Sequence, residues 1–137
     1  MGNRRILVDT SVIIEFLRKD NKEKSWLWRL QENFICFISS ITLFELLSGA
    51  KTDKHIEDIG KITKWIETIE FDDEIATTAA LIFRNLKQRN QLIDYRDIFI
   101  AATAKNHHLK LATLNVNHFE RIEGLILIEY FEQDLTD

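Results

Sequence analysis

The chain has 137 residues, 45% hydrophobic and 29% charged, with a formal net charge of −4. That length and apolar content suit one domain with a properly buried core, and no window is rich enough in Ser, Gly, Gln or Pro to read as a disordered tail. The longest apolar runs, such as 34–38 and 125–128, are far shorter than the roughly 20 residues that cross a bilayer, which excludes a helical membrane span.

The expectation is therefore a single domain over residues 1–137. The opening Met-Gly-Asn-Arg-Arg leads into an apolar stretch broken at Asp9 and Glu15, too short and too charged for a secretory segment, so a cytoplasmic protein is expected. The one cysteine, Cys36, sits in an apolar run and reads as a buried thiol with no intramolecular partner. A net negative charge gives no global attraction to nucleic acid. A site that collects carboxylates around a cation makes a protein acidic all the same, and the ion reverses the local field.

In chain order, Ile6-Leu7-Val8 reads as a strand that stops at Asp9-Thr10-Ser11, from which a helix runs through Val12, Ile13, Phe16 and Leu17. Trp26, Leu27 and Leu30 mark a second short helix, and 34–38 is a strand without alternation, as expected when both faces are covered. Ser39-Ser40 open a helix ending near Gly49, with Leu43, Leu46, Leu47 and Ala50 on one face and Glu45 on the other. Apolar residues recur at helical spacing over 52–68, and 69–71 is a brief strand. A long helix from Asp72-Asp73-Glu74 buries Ile75, Ala79, Ile82, Phe83 and Leu86, and a polar stretch follows at 87–91. Another helix begins at Arg96 or Asp97 and runs to Lys105; 110–114 and 125–129 are the last strands, with a turn at 115–117. Alternating strands and helices imply an α/β fold: a three-layer sandwich around a parallel sheet of four or five strands. In such sheets ligands bind beyond the carboxyl ends of the strands.

Asp9, Glu45, Asp97 and Asn115 all fall near that edge. Clustered acids suit hard divalent cations such as Mg²⁺ or Mn²⁺, which activate water and neutralise charge on phosphate. Each acid also has an ordinary use: Asp9 as a helix cap, Asp97 as a favourable first-turn acid, Glu45 as a solvated helix residue.

The local sequences add to this spacing. Leu7-Val8-Asp9-Thr10-Ser11-Val12-Ile13-Ile14 resembles the opening motif of PIN-domain ribonucleases, especially VapC-type toxins of toxin–antitoxin modules. Three further stretches resemble the family's later motifs in order: 41–49 around Glu45, 97–104 starting at Asp97, and 111–119 around Asn115. Together they span nearly the whole chain. The resemblance implies a PIN-like fold and a metal-dependent endoribonuclease whose site acids are Asp9, Glu45 and Asp97, with Asp9 and Asp97 as direct ligands. Thr10, Ser11 and Thr113 would orient waters or carboxylates. It further implies Mg²⁺ or Mn²⁺ as cofactor, transfer or ribosomal RNA as substrate, products with 5′-phosphate and 3′-hydroxyl ends, a VapB-type antitoxin lying across the acidic groove, and a homodimer.

This chain departs from the fuller pattern by carrying Asn115 where many relatives have aspartate, which weakens the case for a second metal. Asp94 is either the replacement charge or a polar loop residue. His118, with His107 and His108, lacks a zinc-type ligand set and reads as a surface or turn residue. Arg84, Lys87, Arg89 and Arg96 flank the third motif as a candidate basic rim for RNA phosphates. Trp26, Trp28 and Phe34 are open to interface or core roles. Two rivals remain: a PIN-fold binding module without catalysis, and a receiver-like domain, which would need a lysine at a late strand end where Leu114-Asn115 stands.

Overall fold

The computed structural model describes residues 4–130; the first three residues of the chain, read above as part of its opening, lie outside them. Strands β1 (Arg5–Val8), β2 (Ile35–Ser39), β3 (Glu67–Ile69), β4 (Lys110–Thr113) and β5 (Leu127–Glu129) form one sheet in the order β3-β2-β1-β4-β5. Every neighbouring pair is parallel. Parallel pairing requires crossovers, and seven helices supply them: α1 (Thr10–Arg18), α2 (Trp26–Asn33), α3 (Ser40–Gly49), α4 (Asp53–Trp65), α5 (Asp73–Gln88), α6 (Tyr95–Asn106) and α7 (Val116–Phe119).

The three layers follow from strand alternation. Ile6 and Val8 of β1 join one apolar cluster with Val12, Leu27, Ile38, Ile59 and Ile62, whereas Leu7 between them joins a second with Ile75, Leu86, Ile98 and Leu111. The first cluster sits under α1 to α4 and the second under α5 to α7. Trp26 is buried in the first of them, edge-on to Tyr130, while Trp28 stacks at a tilt near Trp65, so packing accounts for both tryptophans.

Helix starts carry the link from sequence to site. In α2, α3, α4, α5 and α6 the capping side chain (Ser25, Ser39, Thr52, Asp72, Asp94) accepts a backbone N–H of the first turn. The cap positions of α1 and α7, Asp9 and Asn115, make no such bond. These two helices leave β1 and β4, the strands between which the chain order reverses, because β2 and β3 lie on one side of β1 and β4 and β5 on the other. The two uncommitted side chains thus stand where parallel α/β sheets bind ligands.

Some local expectations shift. On α3 the inner face is Thr42 and Leu46, while Leu47 and Phe44 are exposed, because Thr42 is drawn inward by hydroxyl partners described below. The third strand is Glu67–Ile69 rather than 69–71, set by pairing Phe37 with Glu67 and Ser39 with Ile69. The turn at 115–117 is the start of α7. Cys36 is buried as expected, which pushes its thiol up to about 12.

Candidate active site

A cleft of about 650 Å³ opens beyond the ends of β1 and β4. Asp9, Glu45, Asp94, Asp97 and Asn115 all line it, as do Thr10 and Ser11. Residues from four separate stretches of sequence therefore meet in one place.

Asp9 is buried at 4% exposure. Its Oδ2 accepts 2.8 Å hydrogen bonds from Ser11 Oγ and from Thr113 Oγ1. Both hydroxyls are themselves aligned by backbone donors, Leu114 N to Ser11 Oγ at 3.0 Å and Asn115 N to Thr113 Oγ1 at 2.9 Å. No hydrogen bond reaches Asp9 Oδ1 among the described residues, so that oxygen is left for the cleft.

Glu45 is held in a similar way. Its Oε1 lies 2.8 Å from Thr10 Oγ1, which in turn lies 2.9 Å from Thr42 Oγ1, and Ser39 Oγ is 3.3 Å beyond. A carboxylate only accepts, so the Thr10 proton points to Glu45, Thr42 donates to Thr10, and Ser39 donates to Thr42. The buried chain of three hydroxyls explains why α3 turns Thr42 inward. Glu45 Oε2 faces Arg96 Nη1 at 3.7 Å.

Asp97 is in the first turn of α6, the position where an acid favours a helix N-terminus. Its carboxylate instead meets His118, with Nδ1 3.1 Å from Oδ2. Burial pushes the Asp97 carboxyl up to about 6; His118 opposes this, and the negative charges of Asp9 and Asp94 add to it. Asp94 caps α6 and grips Arg96 through Nε at 3.1 Å and Nη2 at 3.2 Å, which holds its carboxyl below the ordinary value.

The donor set fits a hard divalent cation. Asp9, Glu45 and Asp97 line one cleft, each with one oxygen held by a hydroxyl or imidazole of the protein, and burial, with the Asp9 and Asp94 charges adding to it, raises the Asp97 carboxyl there. Among the described residues no three His, Cys, Asp or Glu side chains close into a ready-made cage. A Mg²⁺ or Mn²⁺ ion held here would take one or two of the carboxylates and keep water in its other positions.

Of the residues read from sequence as a basic rim, Arg96 lines the cleft; Arg84, Lys87 and Arg89 do not. Lys87 lies over the Phe83 ring, and Arg89 bonds Asn85 and the Arg121 carbonyl. The cleft's remaining cations are Arg18, in the last turn of α1, and Lys19, its C-cap, which the sequence reading did not select. It also missed Thr42 and the role of His118, which is no plain surface residue: it borders the cleft and bonds Asp97. A signal for His118 was present, since three positions from Asn115 along a helix brings both to the same side.

Thr113 offers a test of this arrangement. Thr113→Val keeps the shape but leaves Asp9 Oδ2 with one donor and the Asn115 N–H with none. Thermal melting should show a loss of about 1–2 kcal/mol, and any activity that depends on Asp9 should fall roughly 10- to 100-fold, while Thr113→Ser retains both.

Comparisons with known proteins agree with this fold. The PIN domain family matches residues 6–125. Ribonuclease VapC1 of Methanocaldococcus jannaschii is 36% identical over 119 residues, covering 87% of this chain and 82% of its own. Ribonuclease VapC1 of Rickettsia felis is 33% identical over 136 residues, covering 94% and 98%. Among solved structures, VapBC2 from Rickettsia felis bound to a DNA fragment from its promoter superposes with a TM-score of 0.81 at 25% identity, covering 93% of this chain and 99% of that one. With its parallel sheet, its switch-point cleft and the four motifs meeting there, this chain belongs to the PIN-domain family.

Proposed function

We propose that the chain is a metal-dependent endoribonuclease, the toxin of a toxin–antitoxin pair, cutting transfer or ribosomal RNA. The observation that carries this reading is the convergence of the Asp9, Glu45 and Asp97 carboxylates on a common cleft, with Asp9 Oδ1 free of hydrogen bonds among the described residues. Asp9 and Asp97 are the direct ligands, and Glu45 stands beside them. A bound Mg²⁺ or Mn²⁺ supplies activation of water and neutralisation of charge on the scissile phosphate.

The chain's own residues do the rest. Ser11 and Thr113 fix Asp9, His118 fixes Asp97, and the Ser39–Thr42–Thr10 hydroxyl chain fixes Glu45, so that little reorganisation is needed when substrate arrives. Glu45 Oε2 takes the proton of the attacking water. Attack at phosphorus forms a P–O bond, the P–O3′ bond breaks, and a proton returns to O3′, which leaves a 5′-phosphate and a 3′-hydroxyl. Asn115 and Asp94 border the same space as further oxygen donors, though Asp94 is largely engaged by Arg96.

The partners proposed are a VapB-type antitoxin and a second copy of the chain. A groove of Ile14, Leu17, Leu46 and Ile59 adjoins the acidic cleft, sharing Ile14, Arg18 and Glu45 with it, and supports a partner segment that covers both. A separate apolar groove of Phe71, Phe83, Tyr95 and Phe99 supports the homodimer. No helix among the described residues is long and apolar enough to cross a membrane.

The test is the chemistry of the cut ends. Sequencing and end-labelling of RNA digested with Mn²⁺ should give 5′-phosphates; 2′,3′-cyclic phosphates would show attack by the ribose hydroxyl and sink the water mechanism.

A further inference from the structure

We infer that Arg18, with Lys19 beside it, is the RNA-backbone contact of this site: it holds a phosphate next to the one that is cut and sets the direction in which the strand leaves the acidic floor. The inference rests on the ribonuclease reading above and assigns the side of the cleft along which RNA runs.

A polyanion approaching a protein of net charge −4 needs cations at the point of contact, because the acidic floor serves only the scissile phosphate. Three basic residues border the cleft: Arg18, Lys19 and Arg96. Arg96 is already committed, with two contacts to Asp94 and a third to Glu45. Lys19 is partly engaged, 3.6 Å from Glu15 Oε2. Arg18 is exposed, and its side chain makes no ion pair or hydrogen bond among the described residues.

The ordinary task of a basic residue in a last helical turn is to satisfy terminal carbonyls. That task falls to Lys22, whose Nζ donates to the Phe16 and Leu17 carbonyls at 2.9 and 2.8 Å. Arg18 is thus a guanidinium at the lip of an acidic cleft with no partner among the described residues. A guanidinium suits a phosphate because it offers two parallel donors. The contrast with α5 is direct: Lys87 and Arg89 have partners of their own and lie off the cleft.

Fluorescence anisotropy of a labelled single-stranded RNA in EDTA, over a range of salt, tests the assignment. Arg18→Ala should weaken binding about tenfold at roughly 0.1 M salt and lower the slope of log K against log salt by about 0.7, the value for one phosphate contact to a single strand. Arg18→Lys should keep the slope, and the double variant Arg84→Ala/Lys87→Ala should match wild type in both. In cleavage assays with Mn²⁺, Arg18→Ala should raise KM with kcat little changed. Wild-type affinity and slope in Arg18→Ala, while the unaltered protein binds and cuts RNA, would overturn the assignment alone. Loss in the Arg84/Lys87 variant instead would place the strand on the opposite side and overturn it as well. If the unaltered protein neither binds nor cuts RNA, the ribonuclease reading fails and the assignment falls with it.

Discussion

Asp9→Asn is expected to abolish RNA cleavage, by on the order of 10³-fold or more in kcat/KM, while leaving the protein folded. The reasoning is geometric. Asp9 Oδ2 accepts from both Ser11 and Thr113, and an asparagine that places its Oδ1 there keeps both hydrogen bonds. Its NH₂ then points into the cleft, where an oxygen ligand had been. The substitution removes a charge and a ligand without opening a cavity or stranding a hydroxyl. Melting and circular dichroism should match wild type, which separates loss of chemistry from loss of fold. Cleavage within tenfold of wild type would show that Asp9 is not part of the reacting site.

Asp97→Asn should also abolish cleavage, yet it should make the metal-free protein more stable. The Asp97 carboxyl stands at about 6 in the fold, against an ordinary 3.8. Between those pH values the folded chain binds more protons than the unfolded chain, so stability falls as pH rises through the window, and the penalty is complete above 6. The raised carboxyl corresponds to at most about 3 kcal/mol at neutral pH, and partial exposure of the side chain brings the expected gain to roughly 1–3 kcal/mol. Asparagine still accepts from His118 Nδ1, so the local contact survives. Melting in EDTA should therefore show Asp97→Asn several degrees above wild type at pH 7.5, with the gap narrowing as pH falls below 6 and closing below about 4. Mn²⁺ should raise the wild type and leave the variant nearly unmoved, because a ligand stabilises only the form that binds it. A variant less stable than wild type at every pH would mean that the Asp97–His118 contact matters more than the burial of charge.

How much of this was legible in the sequence depends on the distance over which each feature is decided. Strands and helices were readable because Ile6-Leu7-Val8 and 34–38 are continuous apolar runs, and Ser39 and Asp72 stand just before helical periodicity; Asp94, read as a replacement charge or loop residue, is the cap of α6. Asp9 was readable because a strand that stops at an acid and enters a helix puts that acid at the sheet edge. The sequence left open whether Asp9 caps α1; in the structure its carboxylate is taken by Ser11 and Thr113 instead.

Side-chain direction was harder to read. The apolar stripe assigned to α3 was displaced because the polar pull on Thr42 comes from Thr10, 32 residues away. The basic rim was sought beside Asp97 in sequence, whereas among the described residues the unpaired cation at the cleft comes from the far end of α1. His118 looked like a turn residue because α7 has only four residues, too few for periodicity to show. In each case a contact between distant elements, not local composition, decided the outcome.

The measurement that bears most directly on the central claim is cleavage of total cellular RNA by the purified wild-type protein in EDTA, with Mn²⁺ then restored to the same sample. No new ends in EDTA, and discrete new ends once Mn²⁺ is added, is the predicted result. Equal cutting in both conditions would contradict the assignment of Asp9 and Asp97 as ligands of a catalytic metal.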